Sequence, residues 1–466
     1  MKKIFFIVLS ILLISISLGV NRIETLQQPA LPEKAPFNRI ATPWADSIFL
    51  TLSLDEKIGQ LFSVAAYSNL GTAHKKEILD LINELHIGGL TFFQGGPVRQ
   101  AMLTNEYQEA AKIPLMIAID GEWGLSMRLD STVKYPWQMT LGAIQNDSLI
   151  YQMGLQVAEQ FRRLGVHVNF APVVDVNNNP NNPVIFARSF GEDKYNVAQK
   201  GIAYMKGMQA GGLLANAKHF PGHGDTDKDS HKTLPVVSHD MARMDSIELY
   251  PFKQIIQSGI GSMMTAHLYL PELTSEKKAS SLTKEIVDTL LQQQLGFDGL
   301  IFTDGLNMGG VAKYQTSEEI DLQALIAGND VLLLSQDVPK AIELIKVALL
   351  EGRLSQASID NSVMKVLKAK EWLKIESGDS VELKNLYEDL NQPKFEYLNR
   401  QLSEASLTVI RNKGNRIPFK KIAKKRIVSL AFTDKQVDFD AFQDGLNLYA
   451  KVDRLSYTAL PVSAQK

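Results

Sequence analysis

The feature that most constrains the fold is an alternation, repeated eight times from about residue 40, of short β-branched apolar runs with longer segments of helical period. This pattern is typical of parallel strands joined by crossover helices. Eight such units predict a (β/α)₈ barrel of the TIM type, although an open doubly wound sheet shares much of the pattern. The predicted strands cover residues 61–66, 87–93, 115–120, 166–176, 212–220, 262–268, 298–304 and 330–335.

The predicted strands end in ionisable side chains. In a (β/α)₈ barrel the reactive groups collect at the carboxyl ends of the strands. One polar end is often there only because it meets water, but five ionisable ends in register indicate a functional face. The residues at these ends are Asp120, Asp175, Lys218 with His219, His267 and Asp304.

The stretch from Lys218 to His231, KHFPGHGDTDKDSH, contains three of the eight histidines of the chain. A calcium loop beginning at Asp225 would need Gly at its sixth position and Glu at its twelfth, where the chain has Ser230 and Val236. The histidine spacings of four and eight match none of the helix-borne zinc motifs. Both metal interpretations are therefore disfavoured.

Acid–base chemistry is the third interpretation of this loop. Asp229 and His231 are one residue apart, so their side chains point to the same side of an extended segment. A carboxylate partner fixes the tautomer of an imidazole and favours its protonated form, which suits a general acid. The alternative is an Asp–His pair that only satisfies its own hydrogen bonds.

Charge excludes one class of partner. The chain has 49 basic and 51 acidic residues, a net charge of −2 and a pI near 6.5. A nucleic-acid binder would normally show a basic excess or a basic stripe. The one basic run, KKIAKKR at residues 420–426, is interpreted as a solvated face before a strand.

The N-terminus indicates export. MKKIFFIVLSILLISISLGV places two lysines before an apolar stretch, which is typical of a signal peptide and is assigned to residues 1–22. A small-residue cleavage site is not clear, so an uncleaved membrane anchor stays open. The absence of cysteine excludes a lipoprotein anchor, disulfides and thiolate metal sites. We therefore expect an exported protein, periplasmic or extracellular.

The barrel does not account for the whole chain. The sequence predicts a catalytic domain over residues 40–375 and a linker with little periodicity over residues 376–400. Residues 401–466 are interpreted as the start of a smaller α/β domain, with strands at 406–412 and 424–434 and a helix at 438–450. These elements are too few to close a sheet.

Four motifs carry a resemblance to a known family. KHFPGHGDTDKDSH resembles the signature loop of the β-N-acetylglucosaminidase branch of glycoside hydrolase family 3. AIDGEWG (118–124), RSFGED (188–193) and IFTDGLNMGG (301–310) resemble three further segments of that family, and the similarity extends over about residues 45–375. The start of the second domain resembles the α/β domain that follows the barrel in longer members.

The resemblance implies a cofactor-free, metal-free, exo-acting retaining β-N-acetylhexosaminidase. Its substrate would be terminal N-acetylglucosamine on peptidoglycan fragments or chito-oligosaccharides. Asp304 would be the nucleophile, His231 the general acid and then the base, and Asp229 the partner that holds His231. The residues that the resemblance implies for sugar binding are Asp120, Arg128, Arg188, Lys218 and His219, with His267 and Met308 lining the same subsite.

The sequence departs from the family pattern in two motifs. Gly121 and Trp123 stand where Gln and Gly are common, so we expect the pocket rim to differ. Thr303 and Gly305 flank the nucleophile where Ser and Asp are frequent.

Two alternative functions stay open. The intact triplet at 229–231 favours this branch over a β-glucosidase or β-xylosidase. The other alternative is a non-catalytic cell-wall sugar-binding protein. The sequence does not indicate the oligomeric state.

Overall fold

The computed structural model describes residues 31–230, 232–313, 315–375, 380–433 and 440–458. The chain divides into two compact units, Met1–Leu407 and Thr408–Lys466. The predicted signal peptide lies outside the described residues. Within the described ranges, none of the helices has the length and apolar character that a membrane span requires.

A ring of parallel strands forms the centre of the first unit. The strands are β1 (Phe62–Ala66), β2 (Gly89–Phe92), β3 (Met116–Ile119), β4 (Val168–Asn169), β5 (Leu214–Phe220), β6 (Ser262–Thr265), β7 (Leu300–Thr303) and β8 (Leu332–Leu333). Each pairs with its sequence neighbour from β1 to β7, and β8 pairs with β1. A parallel bridge between Phe302 and Val331 joins β7 to β8. The predicted (β/α)₈ barrel is confirmed.

Helices follow the strands and cover the ring. Their apolar faces and the strand side chains form one continuous buried core. The helices are α1 (Pro43–Phe49), α2 (Leu54–Gly59), α3 (Thr72–Leu85), α4 (Pro97–Ala110), α5 (Gln138–Gly142), α6 (Asp147–Arg163), α7 (Lys194–Ala210), α8 (Met241–Ser246), α9 (Leu249–Gln257), α10 (Glu285–Gln294, π-helical), α11 (Gly309–Ala312), α12 (Ser317–Ala327), α13 (Val338–Leu350), α14 (Gln356–Trp372), α15 (Leu386–Leu390) and α16 (Pro393–Ala405).

Strand β4 is much shorter than the predicted strand at 166–176. The ladder stops after Asn169, and beyond it Val173 makes a single bridge to Lys218. Pro172 lies between them and has no N–H to donate to a ladder. Asp175 is therefore in the segment that follows the strand, not at its end.

The linker predicted at 376–400 is wrong over its described part. Helices α15 and α16 pack against α6 and bury Leu386, Leu390 and Phe395 in the barrel core. The Gln160 amide donates to the Leu390 carbonyl at 2.8 Å, and Arg163 pairs with Asp389 at 2.9 Å. Helix α15 has five residues, which is too short for helical periodicity to be detected in the sequence.

The second unit contains a strand–helix–strand arrangement. Strands β9 (Ile427–Thr433) and β10 (Val452–Thr458) pair in parallel, and helix α17 (Asp440–Asn447) lies between them in the chain. The strand predicted at 406–412 is wrong, since these residues form no strand. Val409 and Ile410 are largely exposed, so their apolar character does not indicate a buried strand.

Candidate active site

A cavity of about 280 Å³ opens at the carboxyl ends of the barrel strands. Its volume is at the lower limit of ligand pockets. Apolar groups such as Phe93, Phe170 and Leu334 form part of its wall. The polar lining residues are Thr91, Asp120, Arg128, Arg188, Lys218, His219, His223, Ser230 and Asp304.

Asp120 is held between two cations at this face. The Lys218 ammonium donates to its Oδ1 at 2.7 Å and the Arg128 guanidinium to its Oδ2 at 2.6 Å. Burial by itself would raise the pKa of the Asp120 carboxyl, but Lys218 and Arg128 outweigh it and hold the pKa well below its ordinary range. The cavity therefore presents a permanent carboxylate acceptor beside two cationic donors, which suits sugar hydroxyls.

Glu122 fixes two of these cations from behind. Its side chain is fully buried, and Arg188 donates to both of its oxygens, with Nη2 at 2.7 Å from Oε1 and Nε at 3.0 Å from Oε2. The Lys218 ammonium lies 3.0 Å from Oε1. Burial would raise the pKa of Glu122, but Arg188 and Lys218 lower it to about 2. Our sequence analysis missed this residue, although it belongs to the AIDGEWG motif.

Asp175 orients His219. The carboxylate is buried and its Oδ2 lies 2.7 Å from His219 Nδ1. On the other side of the ring, Arg188 Nη2 lies 3.3 Å from His219 Nε2. Because a guanidinium only donates, Nε2 accepts this hydrogen bond and Nδ1 carries the proton that is given to Asp175. Asp175 also accepts the backbone N–H of His223 at 2.6 Å.

Asp304, the predicted nucleophile, directly follows β7 and lines the cavity. Its backbone N–H donates to the Thr265 carbonyl at 2.9 Å, and its Oδ1 accepts the N–H of Gly305 at 2.8 Å. These bonds fix both the backbone and one rotamer of the side chain. The carboxylate is therefore presented to the same cavity as Asp120, Arg128, Lys218 and His219.

The catalytic loop, residues 225–239, carries the predicted acid–base pair. His231 lies outside the described residues, so its predicted role stays a prediction. Asp229 is partly exposed, and its carbonyl accepts the N–H groups of Lys232 and Thr233, both at 3.0 Å. Both bonds are accepted by one carbonyl oxygen, which fixes Lys232 and Thr233 relative to Asp229. The loop tip adjoins the cavity because Ser230 is one of its lining residues.

Two predicted lining residues lie behind the cavity wall. His267 is fully buried, its Nδ1 is 2.7 Å from the Ser281 hydroxyl, and its Nε2 is 3.0 Å from the Gly305 carbonyl oxygen. Since a carbonyl only accepts, Nε2 carries the proton, and His267 holds the carbonyl of Gly305, the residue that follows Asp304. Met308 is also buried and packs near Gly305. Neither residue belongs to the cavity lining, and their predicted place in the sugar subsite stays a prediction.

Gly121 and Trp123, the two departures from the family pattern in the AIDGEWG motif, lie outside the cavity lining, and the expected difference at the pocket rim stays a prediction. Gly121 is buried, and a Cβ there would lie 2.3 Å from the Phe161 ring, so no side chain fits. Its N–H donates to Asn169 Oδ1 at 2.9 Å. Trp123 stacks on Trp137 with ring centroids 5.3 Å apart, and neither ring belongs to the cavity lining.

One cluster in the described part of the chain has metal-ligating groups close together: Asp225, His239 and Glu248. A guanidinium already lies among them. Arg243 donates to Glu248 at 2.6 Å and lies 3.7 Å from Asp225, which itself is 2.8 Å from His239. We interpret the cluster as an ion-pair network that joins the two ends of the catalytic loop.

The sequence matches the model of a known protein family. The glycosyl hydrolase family 3 N terminal domain matches residues 53–369. The chain belongs to this family. It is similar to beta-hexosaminidase A of Pseudoalteromonas piscicida, with 33% identity over 408 residues that cover 80% of this chain and 67% of the relative. It is also similar to a protein of Cellulomonas fimi named beta-N-acetylglucosaminidase/beta-glucosidase, with 25% identity over 83% of this chain and 69% of the relative.

A solved structure of the same family agrees with the fold. The glycoside hydrolase family 3 beta-N-acetylglucosaminidase of Paenibacillus sp. FPU-7 superposes with a TM-score of 0.76 at 32% identity. The superposition covers 89% of this chain and 81% of that structure. The family 3 membership and the barrel predicted from the sequence are thus confirmed, and the chain is a glycoside hydrolase.

Proposed function

We propose that this family 3 protein is an exo-acting β-N-acetylhexosaminidase that removes terminal, non-reducing N-acetylglucosamine. The observation that carries the proposal is the cavity of about 280 Å³, which is lined by Asp304 together with Asp120, Arg128 and Lys218. A cavity at the lower limit of ligand pockets suits one sugar ring and not a chain. The Pseudoalteromonas relative, named a beta-hexosaminidase, supports the same activity.

The proposed mechanism retains the anomeric configuration. The Asp304 carboxylate attacks the anomeric carbon while the glycosidic carbon–oxygen bond breaks and the leaving oxygen takes a proton from His231. Water then attacks the glycosyl-enzyme, gives its proton to His231 and releases Asp304. Asp229 orients His231 throughout. Lys218, which lies within 3.0 Å of Glu122 and Asp120, places a cation at the wall of the same cavity as Asp304.

Aryl glycosides test the activity and its alternative. We expect kcat/KM for 4-nitrophenyl β-N-acetylglucosaminide to exceed that for the β-glucoside by at least about tenfold, a difference of about 1.4 kcal/mol. Proton NMR of the first turnovers should show the β-anomer of N-acetylglucosamine. Faster hydrolysis of the glucoside would favour the second activity in the name of the Cellulomonas relative. Sugar binding without turnover would favour a non-catalytic protein.

We propose that the natural substrates are peptidoglycan fragments reached after export; chito-oligosaccharides are the alternative. A second cavity, of about 390 Å³, lies beside the catalytic loop, and three lysines with no acidic residue belong to its lining. We name it the lysine pocket; its cationic members are Lys228, Lys277 and Lys278. A muramic acid leaving group carries a carboxylate, whereas a chito-oligosaccharide is neutral. Lys278 pairs with Glu276 at 2.6 Å, so the positive charge that the pocket offers comes from Lys228 and Lys277, and this charge supports the peptidoglycan substrate.

Charge removal tests this substrate assignment. A Lys228→Ala/Lys277→Ala double variant should lower kcat/KM about three- to tenfold for N-acetylglucosaminyl-muramic acid, since exposed ion pairs contribute about 0.2–1 kcal/mol each. Chitobiose hydrolysis should change less than about twofold. Lys284→Ala, at an exposed lysine outside the lysine pocket, is the control. Equal losses for both substrates would contradict an anionic leaving group.

A further inference from the structure

His223 is the histidine of the 218–231 stretch to which our sequence analysis gave no role. Its side chain is almost completely buried and lines the wall of the active-site cavity. The ring contacts two hydroxyl groups of its own loop: Nδ1 lies 2.8 Å from Thr226 Oγ1, and Nε2 lies 3.0 Å from Ser230 Oγ. One of these partners, Ser230, is the residue between Asp229 and His231.

The direction of both hydrogen bonds follows from their neighbours. The Thr226 hydroxyl donates to the His223 carbonyl at 3.1 Å and accepts the Asn182 amide at 3.3 Å, so it also accepts from the ring Nδ1–H. Burial and the nearby His219 lower the pKa of His223 to about 4, which keeps the ring neutral. Nε2 then has only a lone pair to offer. The Ser230 hydroxyl must therefore donate to it.

Ser230 is also held from its opposite side. Its carbonyl accepts the N–H of Gly310 at 3.0 Å. A Cβ at position 310 would lie 2.8 Å from this carbonyl oxygen, so only glycine allows the approach. Ser230 therefore holds the loop tip through two hydrogen bonds. Its hydroxyl bonds the His223 imidazole, and its carbonyl accepts a backbone N–H of α11.

We propose that His223 is a positioning residue that fixes Ser230 and, through it, the acid–base pair of Asp229 and His231. The inference rests on the proposed function, because it takes these two residues as the proton donor system. They are covalent neighbours of Ser230, so a shift of Ser230 moves both. A misplacement of about 1 Å at a reacting group costs up to about 10²-fold in rate.

Leaving-group dependence separates positioning from a merely structural role. A glycoside with a basic leaving group depends on proton donation, whereas a dinitrophenolate departs with little protonation. His223→Ala should lower kcat about 10- to 100-fold for 4-methoxyphenyl β-N-acetylglucosaminide. For the 2,4-dinitrophenyl glycoside the loss should be under about threefold. The slope of log kcat against leaving-group pKa becomes steeper as a result.

Further variants identify the hydrogen bond itself. Ser230→Ala should give the same slope as His223→Ala. The double variant Ser230→Ala/His223→Ala should lose little more activity than either single variant, as expected for two partners of one hydrogen bond. His223→Gln keeps an acceptor for the Ser230 hydroxyl, so its slope should lie close to that of the unmodified protein. Thr233→Ala, at an exposed residue of the same loop, is the matched control.

Two outcomes would overturn the inference. Equal losses for both aryl glycosides in Ser230→Ala and His223→Gln would assign His223 a structural role only. Unchanged rates in Ser230→Ala would show that the hydrogen bond does not matter. Failure of the proposed function is distinct from both, since the unmodified protein would then not hydrolyse the dinitrophenyl glycoside at all.

Discussion

Replacing Asp304 with asparagine is expected to lower kcat for aryl β-N-acetylglucosaminides by at least about 10³-fold, because loss of a nucleophile removes the covalent route. The amide is nearly isosteric and keeps an oxygen for the Gly305 N–H, which donates to Oδ1 at 2.8 Å. Fold and sugar binding should therefore persist. Steady-state kinetics give the loss, and titration with N-acetylglucosamine shows whether the cavity still binds sugar.

Two measurements show whether the loss belongs to the nucleophile. Asp227→Asn changes an exposed aspartate of the catalytic loop and should leave kcat within about twofold, as for most surface substitutions. A 5-fluoro N-acetylglucosaminyl fluoride should label Asp304, which peptide mass spectrometry identifies. A loss under about tenfold in Asp304→Asn, or a label on another carboxylate, would contradict the assigned role.

The sequence predicted the barrel and part of its site for one physical reason. Buried parallel strands read as continuous apolar runs, so their number and their ends are visible in the chain. Because the carboxyl ends meet at one face, Asp120, Lys218 and Asp304 could be expected in one place without knowledge of any contact. The structure places all three around one cavity.

The residues that orient this set could not be predicted in the same way. Glu122 meets Arg188 across 66 residues and Asp175 meets His219 across 44, and periodicity does not tell which loops touch. The sequence also does not tell whether a charged side chain is exposed or buried. A glutamate beside a tryptophan in AIDGEWG suggests a solvated rim, whereas Glu122 is the buried partner of two cations.

His267 shows the limit of the strand-end argument. His267 follows β6 and His219 is the penultimate residue of β5. The His219 imidazole lines the cavity, whereas the His267 imidazole donates to a backbone carbonyl. Side chains alternate in direction along a strand, so a shift of one residue decides whether a side chain lines the cavity or is buried behind it. The sequence identifies the end of a strand to within a few residues, which is too coarse for this decision.

Replacing Glu122 with alanine is expected to destabilise the first unit by about 3–5 kcal/mol, because it leaves Arg188 and Lys218 buried without their shared carboxylate. The difference between the ordinary pKa of 4.5 and about 2 in the folded protein corresponds to about 3 kcal/mol, which agrees. The urea midpoint and the Tm of unfolding measure the effect. Glu109→Ala, at an exposed glutamate, should stay within about 0.5 kcal/mol.

Lowering the pH should reduce the difference in the free energy of unfolding between the unmodified protein and Glu122→Ala. The pKa of Glu122 is lower in the folded protein than in the unfolded chain, so its stabilisation is fully present above pH 4.5 and is lost as the pH falls towards about 2. The unmodified protein and Glu122→Ala should therefore differ most at neutral pH, and the difference in the free energy of unfolding should be smaller by about 2 kcal/mol at pH 3. A difference that is the same at pH 3 and pH 7, or under about 1 kcal/mol throughout, would contradict a charge-based role and leave only the lost packing of the side chain.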